Sequence, residues 1–212
     1  MSAVRVWLAF AVIALFAASH TASATESEPT CLPGCGCTDE APFVRTPVAR
    51  TPSEADYMRL VAQTTDSSCE VAATAVRSLE LLADHRAEAT LIRLLGHRAC
   101  RIRAAAAEAL AAVGTRASVA PLITALRDAD ARVRSGAAWS LARVGDRRAL
   151  PALMRAVRDT NSHVRQGAAT ALGQIGDARA ADALVRALKD PEKSVREAAA
   201  EALGRLRSRS SS

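Results

Sequence analysis

A 31-residue period runs from about residue 71 to the C-terminus and constrains the fold more than any other feature of the chain. Its clearest column consists of five aliphatic residues at equal steps: Val71, Ile102, Val133, Val164 and Val195. A period that does not drift is typical of a stacked array of one small unit. Each unit of such an array buries the apolar face of its neighbour, so the fold can be predicted from the period itself.

One unit has the pattern of two helices joined by tight turns. From Val133 onward, small or apolar residues recur every three or four positions, which predicts an amphipathic helix. Gly145 predicts the end of this helix, and Asp146 predicts the cap of a second helix over residues 150–157. A polar turn follows. The predicted fold class is therefore all-α, an α-solenoid of stacked helix pairs. We count four full units and a half-unit at each end.

The composition divides the chain into four segments. Residues 1–24 have the pattern of a signal peptide, and residues 25–52 form a linker or arm that contains five prolines and three cysteines. Residues 53–207 form the predicted repeat domain, and residues 208–212 form a disordered tail.

The first segment predicts export. Arg5 is its one charged residue, Val6 to Ala18 is apolar throughout, and Ala22-Ser23-Ala24 resembles a cleavage site. An apolar run of this length spans only about 20 Å as a helix, less than the roughly 30 Å of a hydrocarbon core. We therefore expect a periplasmic or extracellular protein with no membrane span after cleavage. An uncleaved N-terminal membrane anchor is the alternative.

All five cysteines lie beyond the predicted signal peptide, and export makes each of them a disulfide candidate. They are Cys31, Cys35, Cys37, Cys69 and Cys100. The first three also offer soft ligands for Cu(I) or Zn(II), but their spacing is not the usual zinc pattern, so we expect disulfides rather than a metal site. The last two are 31 residues apart. A direct bond between them needs the turn to close locally, because packed helices lie about 8–10 Å apart.

A second periodic column is charged. Three aspartates each precede an arginine by six residues: Asp128 and Arg134, Asp159 and Arg165, Asp190 and Arg196. Equivalent positions of a solenoid line up, so these residues predict a ladder in which each aspartate caps the next helix and pairs with an arginine. The pattern is missing before Asp128, where His97 precedes Arg103. We therefore expect the first two units to be the less stable end.

The repeated sequence resembles the HEAT repeat, and its short period resembles the bacterial, phycobilisome-lyase-like subclass. The resemblance covers about residues 55–207 and rests on Val133-Arg134-x-x-Ala137-Ala138-x-x-Leu141-x-x-x-Gly145-Asp146 and its copy from Val164 to Asp177. It implies an α-solenoid, in a family that includes scaffolds, lyase subunits, DNA-repair proteins and a metal-dependent hydroxylase. The hydroxylase would imply His-Glu dyads that hold two irons, and none of the four histidines here is followed by glutamate.

The sequence predicts a binding protein rather than an enzyme, with no catalytic residue, metal or cofactor. No nucleophile triad or phosphate loop is present. The candidate binding surface is a concave basic face that the second helices line, with outward cations at Arg93, Arg127, Arg155, Arg158, Arg186 and Lys189. Arginine binds carboxylates and phosphates through its bidentate fork. Trp139 lies on its helix opposite the inward apolar stripe, and it is a further candidate contact. The alternative for these six cations, which we call the basic stripe, is an ordinary solvated helix surface.

We therefore expect an exported scaffold or adaptor that binds a protein or peptide, most naturally an acidic one. One alternative is a lyase-like enzyme or enzyme subunit that acts on a tetrapyrrole or a protein, which the family resemblance implies. Another is nucleic-acid binding through the basic face. Export, a net charge of only +6 and an aromatic content of 3% all disfavour nucleic acid.

Overall fold

The structure is a computed structural model of the 212-residue chain, and it describes residues 54–65, 68–82 and 84–210. The described residues are helical, with no strand among them, and all fall in one compact unit, Cys31–Ser212. The predicted signal peptide and arm lie outside the described residues. The described part of the chain contains no helix long and apolar enough to cross a bilayer.

Two kinds of helix alternate along the chain. The first helices of the units are long: α2 (Cys69–Leu82), α4 (Cys100–Val113), α6 (Ala131–Val144), α8 (Ser162–Ile175) and α10 (Lys193–Ser210). The second helices are shorter: α1 (Glu54–Gln63), α3 (Glu88–Leu94), α5 (Val119–Ala125), α7 (Leu150–Ala156) and α9 (Ala181–Ala187). The prediction of an all-α array of helix pairs is confirmed.

The helices form two layers. The first helices pack side by side, from α2 to α10, and each second helix packs on the first helix that follows it. The packed pairs are therefore α1 with α2 and so on to α9 with α10. The helices predicted to be half-units at the two ends are thus members of complete pairs. At the C-terminal side of the described residues, Val185 of α9 and Leu188, which directly follows α9, are exposed.

Small side chains set the close spacing of the first helices. A Cβ added to Gly136 would lie 3.1 Å from the Cβ of Ala107, and one added to Gly173 would lie 2.7 Å from the Cβ of Ala202. Leucines such as Leu141 are fully buried between the layers. Backbones that approach this closely leave no room for aromatic rings, which explains the low aromatic content of the chain.

The predicted turn within each unit is confirmed in the two C-terminal copies. Gly145 and Gly176 end α6 and α8 in the left-handed conformation, with φ of 65° and 69°. Asp146 accepts a hydrogen bond from the backbone N–H of Arg148 at 2.9 Å and so caps a short 3-10 helix, Arg147–Ala149. The second helix α7 follows directly and has no side-chain cap of its own, so the predicted cap acts one turn earlier. Gly114, in contrast, ends α4 in an extended conformation, with φ of −65° and ψ of 138°.

The last helix continues to Ser210, into the predicted tail. Arg209 donates from Nη1 to the backbone carbonyls of Gln174 and Ile175, at 3.0 and 3.2 Å. These bonds satisfy carbonyl groups at the end of α8, which otherwise have no partner within the helix. The end of α10 is thereby attached to the helix before it.

Candidate functional site

A ladder of arginine–aspartate pairs joins consecutive units. Arg134 of α6 donates from Nε and Nη2 to the two carboxylate oxygens of Asp159, each at 2.8 Å. Arg165 of α8 binds Asp190 in the same way, at 2.7 and 2.8 Å. Each arginine therefore pairs with the aspartate 25 residues further along the chain, in the turn that follows the next second helix. The predicted ladder is present, and each pair links a first helix to the turn that leads into the next unit.

The aspartates of the ladder do not cap the following helices, contrary to the prediction. Asp159 accepts the backbone N–H of Asn161 at 2.9 Å, two residues later, and so closes the turn. The cap of α8 is Asn161 itself, whose side chain accepts the backbone N–H groups of His163 and Val164. Asp128 and Asp130 divide the two roles in the same way before α6: Asp128 closes the turn and Asp130 caps the helix.

The ladder also begins earlier than the sequence suggested. Arg103 of α4 binds Asp128 at 2.7 and 2.8 Å, and its Nη1 donates to the backbone carbonyl of His97 at 2.9 Å. The residue six positions before the arginine contributes only its carbonyl, which every residue has. His97 in place of aspartate therefore does not interrupt the ladder at this point.

The ladder is charge-compensated. The side chains of Arg165 and Asp190 are only 12% and 9% exposed. The hydrogen bonds from Arg165 hold the pKa of Asp190 below its usual value, and those to Asp190 raise the pKa of Arg165. Both groups are therefore charged near neutral pH and satisfied by each other. The paired residues of the ladder therefore stabilise the fold, and positive charge that is available to a ligand must come from other residues.

Free positive charge lies on the second helices, where the sequence predicted it. All six cations of the stripe are exposed. Arg93, Arg155 and Arg186 lie in the last turns of their helices, and the others follow directly in the next turn. Arg93 donates to Thr90 Oγ1 at 3.4 Å. Within the described part of the chain, the side chains of the remaining five make no hydrogen bond or ion pair: Arg127, Arg155, Arg158, Arg186 and Lys189.

Two of these arginines share a shallow groove between α7 and α9. Arg158 comes from the end of α7 and Arg186 from α9. The walls include buried alanines of α9, and the pair of Arg165 with Asp190 lies at the same place. The complete lining is Val157, Arg158, Arg165, Ala183, Arg186, Ala187 and Asp190. The structure thus brings together arginines of successive units, a pairing that the residue columns of the sequence did not suggest.

The same residue types recur one unit earlier, between α5 and α7. Subtracting 31 from each lining position gives Leu126, Arg127, Arg134, Ala152, Arg155, Ala156 and Asp159. A further step back, between α3 and α5, gives Gly96 and Thr124 in place of the two outward arginines. We call Arg127, Arg155, Arg158 and Arg186 the rim arginines. The two arginines at the rim of the α7–α9 groove thus have counterparts between α5 and α7 and none between α3 and α5.

Trp139 does not belong to these grooves. It lies on α6, in the layer of first helices, with 39% of its surface exposed. A Cβ on Gly167 of α8 would come within 3.2 Å of its Nε1, so part of the indole covers this glycine. Because Gly167 has no side chain, the indole ring of Trp139 can pack against α8. Trp139 and the rim arginines are therefore separate candidate surfaces.

Two cysteines and one histidine lie at or contact the ends of first helices. Cys69 and Cys100 are the first residues of α2 and α4, and Cys100 is buried and disulfide-bonded in the structure. Its bonding partner is not among the described side chains, so the choice among the disulfide candidates stays open. His85 contacts the carbonyl of Val113 through Nδ1 at 3.0 Å. Among the described residues, no three potential metal ligands cluster together.

Comparison with known proteins identifies the repeat. The sequence profile of HEAT repeats matches residues 58–142 and again residues 119–204, which together exceed half of the chain. A search of curated proteins finds no significant match.

Solved structures with the same fold include enzymes and designed binders. One is the complex of CpcE and CpcF of phycocyanin lyase from Nostoc sp. PCC7120, with 27% identity, a TM-score of 0.67 and coverage of 78% of this chain and 70% of that one. Human deoxyhypusine hydroxylase also has 27% identity, with a TM-score of 0.51 and coverage of 74% and 64%. A designed armadillo repeat protein in complex with the peptide (KR)4 shares only the fold, at 19% identity, a TM-score of 0.57 and coverage of 72% and 82%.

Proposed function

Since the chain belongs to the family of HEAT repeats, we propose that it is a scaffold or adaptor that binds an acidic protein or peptide along the rim arginines. The observation that carries the proposal is the state of these four side chains. They are exposed, and no described carboxylate pairs with them. In contrast, the partly buried ladder arginines Arg103, Arg134 and Arg165 are each paired with an aspartate. We propose further that the protein acts after export, as residues 1–24 predict.

Helix geometry alone accounts for part of this arrangement. A cation near the C-terminus of a helix stabilises it by about 0.3–1 kcal/mol, so each rim arginine has a structural benefit. That benefit does not supply a counter-charge. Asp182 lies four residues before Arg186 on α9 but forms no ion pair with it in the described structure. An anionic ligand between Arg158 and Arg186 would relieve their mutual repulsion and accept their fork-shaped donors.

Binding of a labelled glutamate-rich peptide, followed by fluorescence anisotropy, tests the proposal. We expect the wild-type protein to bind and the variant Arg155→Glu/Arg158→Glu/Arg186→Glu to lose binding. The matched control is Arg116→Glu/Arg143→Glu/Arg147→Glu, which changes three exposed arginines away from the α7–α9 groove by the same total charge. Equal loss in both variants would contradict the proposal, because it would assign binding to net charge alone.

The comparison with phycocyanin lyase favours one second candidate. A likeness of 27% identity to the CpcE and CpcF complex supports a lyase-like enzyme or enzyme subunit that acts on a tetrapyrrole or a protein. Bound pigment distinguishes this candidate from the proposal of a non-enzymatic scaffold. A tetrapyrrole that stays bound to the purified protein, seen in its visible absorption spectrum, would favour the lyase-like candidate.

Nucleic-acid binding is distinguished by the same anisotropy assay. A labelled single-stranded DNA of equal length and charge replaces the peptide. DNA that binds more tightly than the glutamate-rich peptide, with a steep dependence on salt, would replace the acidic peptide as the proposed partner.

A further inference from the structure

The residues of the cationic groove between α7 and α9 recur one unit earlier, where they define a second groove of the same composition. Between α7 and α9, Arg158 and Arg186 stand at the rim, Ala183 and Ala187 form part of the wall, and the ladder pair fills the same site. Each of these positions has the same residue type 31 residues earlier, between α5 and α7. Copies that stack in register present the same chemistry at a fixed separation, which is about the 8–10 Å between packed helices.

Each groove is suited to one carboxylate side chain. Two rim arginines can donate to its oxygens from either side, and the buried alanines Ala183 and Ala187 offer an apolar contact to its methylene groups. The ladder arginine does not compete for the ligand, because Asp190 already occupies Arg165. One carboxylate per groove would therefore offset one of the two positive charges that the fold leaves uncompensated there.

We propose that the two grooves together recognise an extended acidic segment whose carboxylates are three residues apart, which deepens and rests on the proposed function. A polyproline II segment has three residues per turn and rises about 9 Å over that distance. Residues at positions i and i+3 then point to the same side at a separation that matches one repeat. A glutamate at each of these positions enters one groove, the first against Arg127 and Arg155 and the second against Arg158 and Arg186.

The third groove, between α3 and α5, marks the end of this binding site. It keeps the ladder pair of Arg103 and Asp128, but Gly96 and Thr124 replace the rim arginines. The fold tolerates side chains at both positions. Thr124 is exposed, and a Cβ on Gly96 would meet nothing closer than the Arg93 carbonyl oxygen at 3.5 Å. The variant Gly96→Arg/Thr124→Arg therefore builds a third cationic groove without disturbing the core.

Proline-rich peptides with two glutamates test the spacing. The glutamates stand two, three or five residues apart, and the length and charge of the peptides are the same. We expect the three-residue spacing to bind about tenfold more tightly, the factor that one additional contact of about 1.4 kcal/mol provides. Equal binding at all spacings, or tightest binding at another spacing, would overturn the inference and leave the proposed function standing. No binding of any peptide would overturn both.

A peptide with three glutamates at three-residue spacing tests the added groove. We expect Gly96→Arg/Thr124→Arg to bind it about tenfold more tightly than the wild-type protein does, and to bind the two-glutamate peptide about as the wild type does. Circular dichroism checks that the variant folds. An equal gain for both peptides would overturn the inference, because it would show a general effect of positive charge.

Discussion

Arg134 and Asp159 lie 25 residues apart, yet they form two parallel hydrogen bonds of 2.8 Å with side chains that are each 14% exposed. The Nη1 of Arg134 also donates to the backbone carbonyls of Asp128 and Ala129, at 2.9 and 3.0 Å. The Arg134 side chain thus connects the turn before α6 to the turn after α7. Pairs of this kind fix the register of the array in which the rim arginines stand.

Removing one partner of the ladder should destabilise the fold. Arg134→Met leaves Asp159 partly buried without its partner, and we expect the free energy of unfolding to fall by about 2–4 kcal/mol. Arg196→Met is the matched control. Arg196 donates to the carbonyls of Asp190 and Pro191 and forms no ion pair among the described residues, and we expect a loss of about 1 kcal/mol. Urea unfolding, followed by circular dichroism, measures both. Equal losses would contradict the role of the pairs.

The ladder should also contribute to acid sensitivity. The Arg165 side chain lowers the pKa of Asp190, so the contribution of this pair is complete above the usual aspartate pKa of about 3.9. It is lost as the pH falls through the lower pKa of the folded state. Compared with Asp190→Asn, the wild-type protein should be more stable at neutral pH, by a margin that shrinks below about pH 4. Urea titrations at neutral pH and below about pH 4 measure the difference in unfolding free energy between the two proteins. A difference that is the same at both pH values would refute this prediction.

Two glycines should respond to alanine in opposite directions. Gly145 has φ of 65°, so Gly145→Ala forces a left-handed alanine and should cost about 1 kcal/mol, although the space around it is open. Gly204 lies within α10, also in open space and without a positive φ. Gly204→Ala should stabilise the protein by about 0.5–1 kcal/mol. Thermal unfolding of the two variants gives both signs, and a stabilised Gly145→Ala would refute the left-handed cap.

The N-terminal units should open more readily than the C-terminal ones. The ladder begins with Arg103 and Asp128, so the helices before α4 lack an arginine of this kind, and Ala72 occupies the corresponding position of α2. We expect hydrogen exchange to be faster over residues 71–100 than over residues 133–188. The experiment is done under reducing conditions, so that a disulfide at Cys100 does not mask the difference. Better protection of residues 71–100 would contradict the prediction.

The fold could be predicted from the sequence because its main determinant is periodic. The columns through Val133 and Gly145 specify helices and turns directly, since apolar spacing and glycine caps act over a few residues. The pairing of each second helix with the next unit could not be predicted this way. It depends on how closely α4, α6 and α8 approach one another, which follows from contacts between units that a single unit's pattern does not contain.

The candidate site shows the same division. The outward positions of Arg155 and Arg158 follow from helical spacing within one unit. That Arg158 shares a groove with Arg186, rather than with Arg155, depends on the stacking of α7 beside α9. A comparison of residues 28 positions apart would have found the signal, because it also joins Arg127 to Arg155.

The most direct test of the central claim is an NMR titration of the arginine Nε–Hε signals with the glutamate-rich peptide. We predict that the signals of the rim arginines Arg127, Arg155, Arg158 and Arg186 shift together and saturate at one peptide concentration. The signals of Arg116, Arg143 and Arg147, together with the indole signal of Trp139, should stay in place. Shifts at Trp139 or at these three arginines, with the rim arginines unchanged, would contradict the account.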